Sequence, residues 1–250
     1  MLAEVGEHKM FVQTRDIGLG RPLLVLGSYE RGTTRLFKET IQEGMTVIDI
    51  GANIGYFTLI AARLVGGEGR VFAFEPEPHN FDLLVKNLEL NEYSNVIPVS
   101  KAVSNRNGSA RLYLDKNNWG AHSLSEECPT HFSGVSVEVE IQTLDDFLKD
   151  YGGKVDFIKI DAQGAEPAII QGMTNVIKHN KDLKMVVEFW PEGLRHFGSS
   201  PEEFLDRLVG YGIKLYRIDE RNGALTPVDV TFLIKKYHSR GSRNLLAIRT

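Results

Sequence analysis

Between Thr46 and Val99, short apolar runs alternate with segments whose apolar residues recur at helical spacing. The apolar runs are TVIDI, RVFAF and NVIPV, and the stretch NFDLLVKNLEL between the last two has the pattern of an amphipathic helix. Short, nearly continuous apolar runs are typical of strands that are buried on both faces, and helices join such strands in parallel. This alternation predicts an α/β protein built on a parallel sheet.

The same pattern resumes in the second half of the chain, after a segment of a different kind. Four more apolar runs predict strands over residues 155–160, 184–189, 213–218 and 244–248. Before them, two runs that alternate apolar with polar residues predict half-exposed antiparallel strands, 109–114 and 135–141, joined by a long polar loop. We therefore predict one doubly wound domain with a seven-stranded sheet and an inserted strand-loop-strand.

The N-terminal segment is predicted to be an extension of this domain. Two short strands are expected at residues 9–14 and 22–27, followed by a helix that Gly44 ends. We expect residues 1–43 to pack on the core as a strand-and-helix extension, and residues 44–250 to form the main domain.

Composition excludes several classes of protein. Twenty-nine basic and 33 acidic side chains give a formal charge of −4, which argues against bulk attraction to nucleic acid. The single cysteine, Cys128, excludes an intramolecular disulfide and a multi-cysteine metal site. No apolar run approaches the roughly 20 residues of a membrane span, and the start, MLAEVGEHKM, lacks the features of a secretion signal. We predict a cytoplasmic protein, whether monomer or homo-oligomer.

A glycine loop follows the first core strand in the segment VIDIGANIGYF. Gly51 permits a tight turn after the strand, and Gly55 is expected to let the next helix pack close to that strand. The backbone N–H groups at the helix start can hold an anionic group. Asn53 stands where the dinucleotide fingerprint has its middle glycine, and no Lys-Ser or Lys-Thr pair follows, which argues against a phosphate-binding P-loop.

Two carboxylates beside this loop indicate what it binds. Asp49 lies in the strand, two residues before Gly51, where it suits a ligand that carries positive charge or N–H donors. Glu75 lies 24 residues after Gly51 (75 − 51), at the end of the second strand. An acidic residue at that position accepts hydrogen bonds from ribose hydroxyls.

With these motifs in place, the chain resembles the FkbM-type methyltransferases, which have the class I S-adenosylmethionine-dependent, Rossmann-like fold. The resemblance rests on VIDIGANIGYFTL, RVFAFEPEPHNFDLLVKNLELN, TLDDFL, VDFIKIDAQGAEPAIIQGM and NLLAIR, and it runs from about Glu43 to the C-terminus. It implies a mostly parallel seven-stranded sheet whose last strand is antiparallel.

The resemblance also implies the cofactor S-adenosylmethionine and the residues that bind it. The glycine loop would contact the methionine end, Glu75 the ribose, and the stretch after the third strand the adenine. The predicted cofactor-binding residues are Asp49, Gly51, Ala52, Asn53, Gly55, Tyr56, Glu75, Pro76, Lys101, Ala102 and Val103. Tyr29, Glu30 and Thr34 either close over the methionine end or form a solvated helix face.

Candidate residues for the methyl transfer follow the fourth and fifth strands. Asp161 is expected to orient the acceptor or to act as base, with Lys159 on the same side of the strand and Glu188 as a second acid. A partly buried Lys159–Asp161 ion pair is an equally good reading. The family pattern Asp-x-Glu-Gly-x-Glu has Gln163 in place of its first Glu here, which weakens the case for a metal or for a glutamate base.

Other polar and aromatic residues remain open at this point. His122, in the long loop, is either a general base or a solvated histidine, and Glu166 is expected to cap the following helix. Trp119 and Trp190 either line an acceptor or pack in the protein. Asp161, Glu166 and Glu188 are oxygen donors that suit a divalent metal, but we predict no metal site.

We predict an S-adenosylmethionine-dependent O-methyltransferase acting on a hydroxyl of a sugar, glycan or secondary metabolite, a small-molecule or glycan acceptor and not a nucleic acid. Three alternatives stay open: an N-methyltransferase, a nicotinamide-dependent oxidoreductase on a variant glycine loop, and a binding module without chemistry. Asp49 and the missing middle glycine argue against the oxidoreductase.

Overall fold

The computed structural model describes residues 1–128, 131–236 and 241–249. Its strands are β1 (Leu2–Val5), β2 (His8–Phe11), β3 (Thr46–Ile50), β4 (Arg70–Phe74), β5 (Val96–Val99), β6 (Ala102–Val103), β7 (Gly108–Asp115), β8 (Phe132–Gln142), β9 (Phe157–Ile160), β10 (Lys184–Phe189), β11 (Ile213–Ile218), β12 (Leu225–Pro227) and β13 (Arg243–Arg249). Its helices are α1 (Gly20–Leu26), α2 (Arg31–Thr40), α3 (Tyr56–Val65), α4 (Pro78–Leu90), α5 (Leu144–Phe147), α6 (Glu166–Gln171), α7 (Thr174–His179), α8 (Pro191–His196), α9 (Pro201–Gly210) and α10 (Val230–Lys236).

A central sheet organises the fold. Within the described residues its strand order is β12-β11-β13-β10-β9-β3-β4-β5. Strands β5, β4, β3, β9 and β10 run parallel to one another, whereas β13 is antiparallel to both β10 and β11. Seven of these strands are the predicted ones, and the short β12 adds an eighth at the edge through antiparallel pairing with β11.

Helices cover both faces of the sheet, and each face has its own apolar core. One core contains the buried side chains of Phe74, Ile158 and Phe189, and the other contains those of Phe37, Leu59 and Phe157. Strand β3 lies between β4 and β9 in the middle of the sheet. The chain continues from β3 to β4 and β5 on one side of it and later adds β9 and β10 on the other side, so the strand order reverses at β3. In open α/β sheets, a crevice for ligands forms at the carboxyl ends of the strands at such a point.

The N-terminal segment differs from its prediction. In the predicted strand 22–27, residues 22–26 belong to helix α1 and Gly27 is its C-cap, and the hairpin of this region is formed by β1 and β2. The apolar run is buried on one side only, since Leu23 is buried while Val25 and Leu26 are exposed, a pattern that a helix end satisfies and a buried strand does not. The predicted helix over 30–43 is α2, which is shorter.

The N-terminal elements share the core of the main sheet. Met10, Leu23 and Phe37 are buried in the same cluster as Val47 and Phe57. The division into an extension, 1–43, and a main domain, 44–250, stays a prediction.

The inserted segment forms a small second sheet in the order β6-β8-β7. Strands β7 and β8 pair antiparallel, as predicted, and β6 adds to β8 in parallel. Within the described ranges, no helix is both long enough and apolar enough to span a bilayer.

Candidate active site

A cavity of about 250 Å³ lies at the carboxyl ends of β3, β4 and β9. It collects residues from the N-terminal segment, the glycine loop, the inserted segment and the turns after β9 and β10. The predicted site residues that line it are Asp49, Gly51, Ala52, Asn53, Tyr56, Glu75, Pro76, Lys101, Ala102, Val103, His122, Lys159, Asp161 and Glu188. Gly55 is the predicted residue that is absent from the described cavity wall.

Gly51 makes the turn at the centre of the cavity. Its φ of 81° lies in the left-handed region, and a Cβ at this position would be 1.9 Å from the carbonyl oxygen of Asp161. Glycine is therefore needed twice, for the backbone conformation and for the close approach of the turn after β9. The N–H groups of Gly51 and Ala52 both donate to the carbonyl of Phe74 at the end of β4, which holds the loop against the neighbouring strand.

Gly55 serves a different contact from the one predicted. It begins helix α3 with a φ of 96°, and a Cβ there would lie 2.8 Å from Leu84 Cδ1 in helix α4. The close packing that glycine permits is thus between α3 and α4 and not between the helix and its strand.

Glu75 is buried at the end of β4 and is held by two backbone donors. Asn53 N–H donates to Oε2 at 2.7 Å, and Glu77 N–H donates to Oε1 at 2.9 Å. Burial raises the pKa of Glu75 to about 8, although these two hydrogen bonds lower it. Each carboxylate oxygen still has a second lone pair, so the group can also accept hydrogen bonds from a ligand in the cavity.

Asp49 is 1% exposed, and one of its two carboxylate oxygens has a hydrogen-bond partner among the described residues. Its Oδ2 accepts a hydrogen bond from Thr58 Oγ at 2.6 Å, while its Oδ1 is buried without a partner in the described part of the chain. Burial raises the pKa of this carboxyl, and the nearby Lys159 ammonium opposes the shift. A buried acceptor that lacks a donor is costly unless a ligand with an N–H group or a positive charge supplies one.

Four side chains form a network at the carboxyl ends of β9 and β10. Lys159 Nζ lies 3.0 Å from Asp161 Oδ2, and Gln163 Nε2 donates both to Asp161 Oδ1 at 3.0 Å and to Glu188 Oε2 at 3.1 Å. Lys159 is only 3% exposed, whereas the side chain of Asp161 is 25% exposed. The structure thus combines the two readings of the sequence, because Asp161 is both an ion-pair partner and a carboxylate open to the cavity.

The pKa values of this network reflect its burial. Burial alone would lower the pKa of Lys159, but the carboxylates of Asp161, Asp49 and Glu30 outweigh it and raise the pKa, so the lysine stays charged. Burial raises the pKa of Glu188 well above its usual range, and the neighbouring Asp161 adds to the shift. A buried carboxyl whose pKa is raised, close to a second carboxyl, is a recurrent feature of sites for proton transfer.

Glu166 begins helix α6 but does not line the cavity. Its Oε1 accepts hydrogen bonds from the N–H groups of Ala162 and Gly164, so it holds the turn between β9 and α6. The prediction that it acts as a structural cap agrees with this geometry. Its Oε2 is buried without a partner in the described chain, and burial raises its pKa to about 7.

The buried Glu166 predicts a loss of stability with rising pH. Its folded pKa, about 7, exceeds the ordinary 4.5, so its contribution is fully present below pH 4.5 and is lost as pH rises through 7. Glu166→Gln mimics the protonated side chain. When the pH is raised from 5 to 8, we expect the free energy of unfolding of this variant to fall by about 2–3 kcal/mol less than that of the wild type. Urea denaturation at both pH values measures this, and equal losses in the two proteins would contradict the assignment.

The cavity is covered by two segments that are distant in sequence. Asp16 Oδ1 accepts a hydrogen bond from Trp119 N–H at 3.1 Å, and the carbonyl of Trp119 accepts from Asn53 Nδ2 and Asn80 Nδ2. Trp119 also lines the cavity, with its ring against that of His79. The inserted loop is therefore tied both to the N-terminal segment and to the glycine loop.

His122 lies in the cavity wall with one ring nitrogen already used. Its Nδ1 accepts the N–H of Asp115 at 2.9 Å, and burial lowers its pKa. An imidazole that is neutral and accepts at Nδ1 carries its proton on Nε2. This geometry makes His122 a hydrogen-bond donor in its neutral form and does not favour the role of general base that the sequence left open.

Some residues singled out in the sequence lie outside the cavity wall, and some residues of the wall were not predicted. Trp190 is absent from the described cavity wall and packs on Gly193 and His196, so the packing reading is the correct one. Thr34 is also absent from the described wall, and its hydroxyl forms hydrogen bonds with the carbonyl of Tyr29 and the hydroxyl of Tyr56, two residues that line the cavity. Sequence reasoning missed the cavity residues Gly18, Asn80, Asn118 and Ser123. Asn80 lies in the stretch RVFAFEPEPHNFDLLVKNLELN but was given no role there, and no motif marks the other three. Their approach to the cavity depends on how distant segments fold together.

In the described part of the chain, no group of three or more histidine, cysteine, aspartate or glutamate side chains is arranged to hold a metal ion. The sequence also has a basic stretch, KKYHSRGSR at residues 235–243, of which residues 237–240 lie outside the described residues.

Comparison with known proteins identifies the family. The model of the methyltransferase FkbM domain matches residues 49–213, which is more than half of the chain. The chain belongs to the FkbM methyltransferase family. The match begins at Asp49 and includes the glycine loop, Glu75, the inserted segment and the network after β9 and β10.

Two curated relatives support the assignment to the FkbM methyltransferases. Methyltransferase sdnD of Sordaria araneosa is 31% identical over 179 residues, which are 60% of this chain and 68% of that protein. Hexuronic acid methyltransferase AglP of Haloferax volcanii is 29% identical over 152 residues, 60% of this chain and 58% of that protein. The chain therefore spans about three fifths to two thirds of the length of these relatives.

A solved structure supports the fold of this FkbM methyltransferase. The precorrin-6y C5,15-methyltransferase of Geobacter metallireducens has a TM-score of 0.50 and 14% identity, over 96% of this chain and 95% of that one. At this identity the similarity concerns the fold alone. It confirms the predicted α/β fold of class I methyltransferases.

Proposed function

We propose that this FkbM methyltransferase uses S-adenosylmethionine to methylate a hydroxyl of a sugar, glycan or secondary metabolite. The observation that carries the proposal is the unpartnered, buried Oδ1 of Asp49 in the wall of a cavity that also contains the glycine loop and Glu75. A ligand with a cationic amino group and ribose hydroxyls would satisfy these groups.

The residues present fit such a cofactor, which supplies a methyl group on a cationic sulfur when bound. Asp49 would accept from the amino group, and the helix-start amides or Asn53 would bind the carboxylate. Glu75 would accept from the ribose hydroxyls, and Lys101, Ala102 and Val103 would flank the adenine.

The residues after β9 and β10 would handle the acceptor. Asp161, partly exposed to the cavity and held by Lys159 and Gln163, would bind the acceptor hydroxyl and receive its proton. Glu188, as a buried acid joined to Asp161 through Gln163, would support the proton transfer, and His122 would donate a hydrogen bond to the acceptor. Holding the acceptor in line with the transferred methyl would supply much of the rate.

The class of acceptor is supported by one relative. AglP is named a hexuronic acid methyltransferase, which favours a sugar-derived acceptor for this chain as well. Trp119, whose ring lies against the cavity, offers an apolar face of the kind on which sugar rings pack.

We expect release of S-adenosylhomocysteine when the protein is given S-adenosylmethionine and a panel of sugar, glycan and polyketide acceptors. A coupled assay for the product, run with and without a chelator, tests acceptor and metal requirement together. Calorimetry with S-adenosylmethionine and with nicotinamide dinucleotides is the control. Binding of the dinucleotide alone would overturn the proposed function.

A further inference from the structure

Glu30 reaches the cavity from the N-terminal segment, outside the region that matches the family model. It begins helix α2 with a φ of 40°, a left-handed conformation that is uncommon for a residue other than glycine. Its Oε2 accepts a hydrogen bond from Asn244 Nδ2 at 2.8 Å, across 214 residues of sequence. A strained backbone held by distant contacts is most often found where a side chain has a function.

The described wall of the active-site cavity holds more carboxyl groups than cationic side chains. Asp49, Asp161 and Glu188 line it together with Glu30, and its two lysines, Lys101 and Lys159, are paired with Glu140 and Asp161, each at 3.0 Å. Burial, together with the negative charge of Asp161, raises the pKa of Glu30 to about 7. Carboxylates in this condition gain stability from a positively charged ligand.

An independent observation points to the same kind of ligand. Asp49 is nine-tenths buried or more and lines this cavity, and its Oδ1 has no hydrogen-bond partner in the described chain. Among the described residues, the wall thus presents an unsatisfied acceptor as well as more carboxyl groups than cationic side chains.

We propose that Glu30 is a charge-selecting residue, which makes the cavity prefer the sulfonium cofactor over its neutral thioether product. The proposal rests on the function proposed above. In methyl transfer the C–S bond breaks as the C–O bond forms, sulfur keeps the electron pair and becomes neutral, and the hydroxyl proton passes to a base. The two ligands therefore differ by one methyl group and one positive charge, and the carboxylate of Glu30 favours the charged cofactor over the neutral product.

The test is the ratio of two affinities. We would measure by calorimetry the binding of S-adenosylmethionine and of S-adenosylhomocysteine to the wild type and to Glu30→Gln, which keeps the shape of the side chain. We expect the preference for S-adenosylmethionine over S-adenosylhomocysteine to fall by about 3- to 10-fold in the variant, the size of one partly screened charge. A purely structural role would change both affinities alike.

Glu220→Gln is the matched control. Glu220 lies near Glu30, but its carboxylate accepts from the N–H groups of Gly32 and Thr33 at the start of α2, and it is not in the described wall of the active-site cavity. We expect this variant to keep the wild-type ratio within about 2-fold. An unchanged ratio in Glu30→Gln, or an equal change in both variants, would overturn the inference alone. Failure of the wild type to bind either ligand would overturn the proposed function, and the inference with it.

Discussion

Replacing Asp161 by asparagine is expected to lower turnover by about 10²- to 10⁴-fold, because the acceptor hydroxyl loses the group that receives its proton. The substitution keeps the size of the side chain and its hydrogen-bonding position beside Lys159 and Gln163, so the cavity should keep its shape. Cofactor affinity is expected to change by less than about 3-fold, because this carboxylate lies on the acceptor side. Initial rates of S-adenosylhomocysteine release, together with calorimetry, measure the two quantities separately.

Asp182→Asn is the control for the loss of one carboxylate. The side chain of Asp182 is 83% exposed, and it lies in the turn before β10, at the other end of the strands. This variant should turn over at the wild-type rate. Wild-type turnover by Asp161→Asn would remove Asp161 from the mechanism, and an equal loss of turnover and of cofactor affinity would assign it to cofactor binding.

Replacing Glu75 by alanine is expected to weaken cofactor binding by about 10- to 100-fold. The carboxylate is held by Asn53 N–H and Glu77 N–H in a position to accept from ribose hydroxyls, and hydrogen bonds to a charged group contribute about 1.5–3 kcal/mol each. Titration calorimetry with S-adenosylmethionine gives the affinity, and thermal unfolding of the same samples reports any damage to the loop.

Glu77→Ala is the control for Glu75→Ala, because Glu77 makes a backbone contact but no predicted contact with the cofactor. It begins helix α4 and accepts the N–H of Asn80 at 2.6 Å, but it is absent from the described cavity wall. Glu77→Ala should lower stability by about 1 kcal/mol, the usual cost of a lost helix cap, and leave cofactor affinity near the wild-type value. If both variants weakened binding equally, the ribose assignment of Glu75 would fail.

Much of the sheet was predictable because its signals are local. The observed bounds of β3, β4, β10 and β11 coincide with the predicted strands 46–50, 70–74, 184–189 and 213–218. The runs of β3, β4 and β10 are buried on both faces, and β11 has an exposed Lys214 between the buried Ile213 and Leu215. The conformation of each run therefore follows from its own local pattern. Residues 22–27 have a similar apolar run but form part of a helix, because only one side of that run meets the core.

In the candidate site, too, the residues that could be predicted are those with a local sequence signal. Sequence alone placed Asp49, Gly51 and Glu75 at strand ends, and parallel strands bring their carboxyl ends to one edge, so these residues had to meet. It also identified Asp161, Lys159 and Glu188 as candidates for the acceptor side.

The tertiary structure alone decided which remote groups complete the site and how they are charged. Asp16 meets Trp119 across 103 residues, and Glu30 meets Asn244 across 214, contacts for which no local pattern exists. Burial and neighbouring charge set the raised pKa values of Glu30, Glu75 and Glu188. Both depend on what packs around a carboxylate after folding. The sequence therefore determined where the acidic residues lie along the chain, and only the fold determined which of their pKa values are raised.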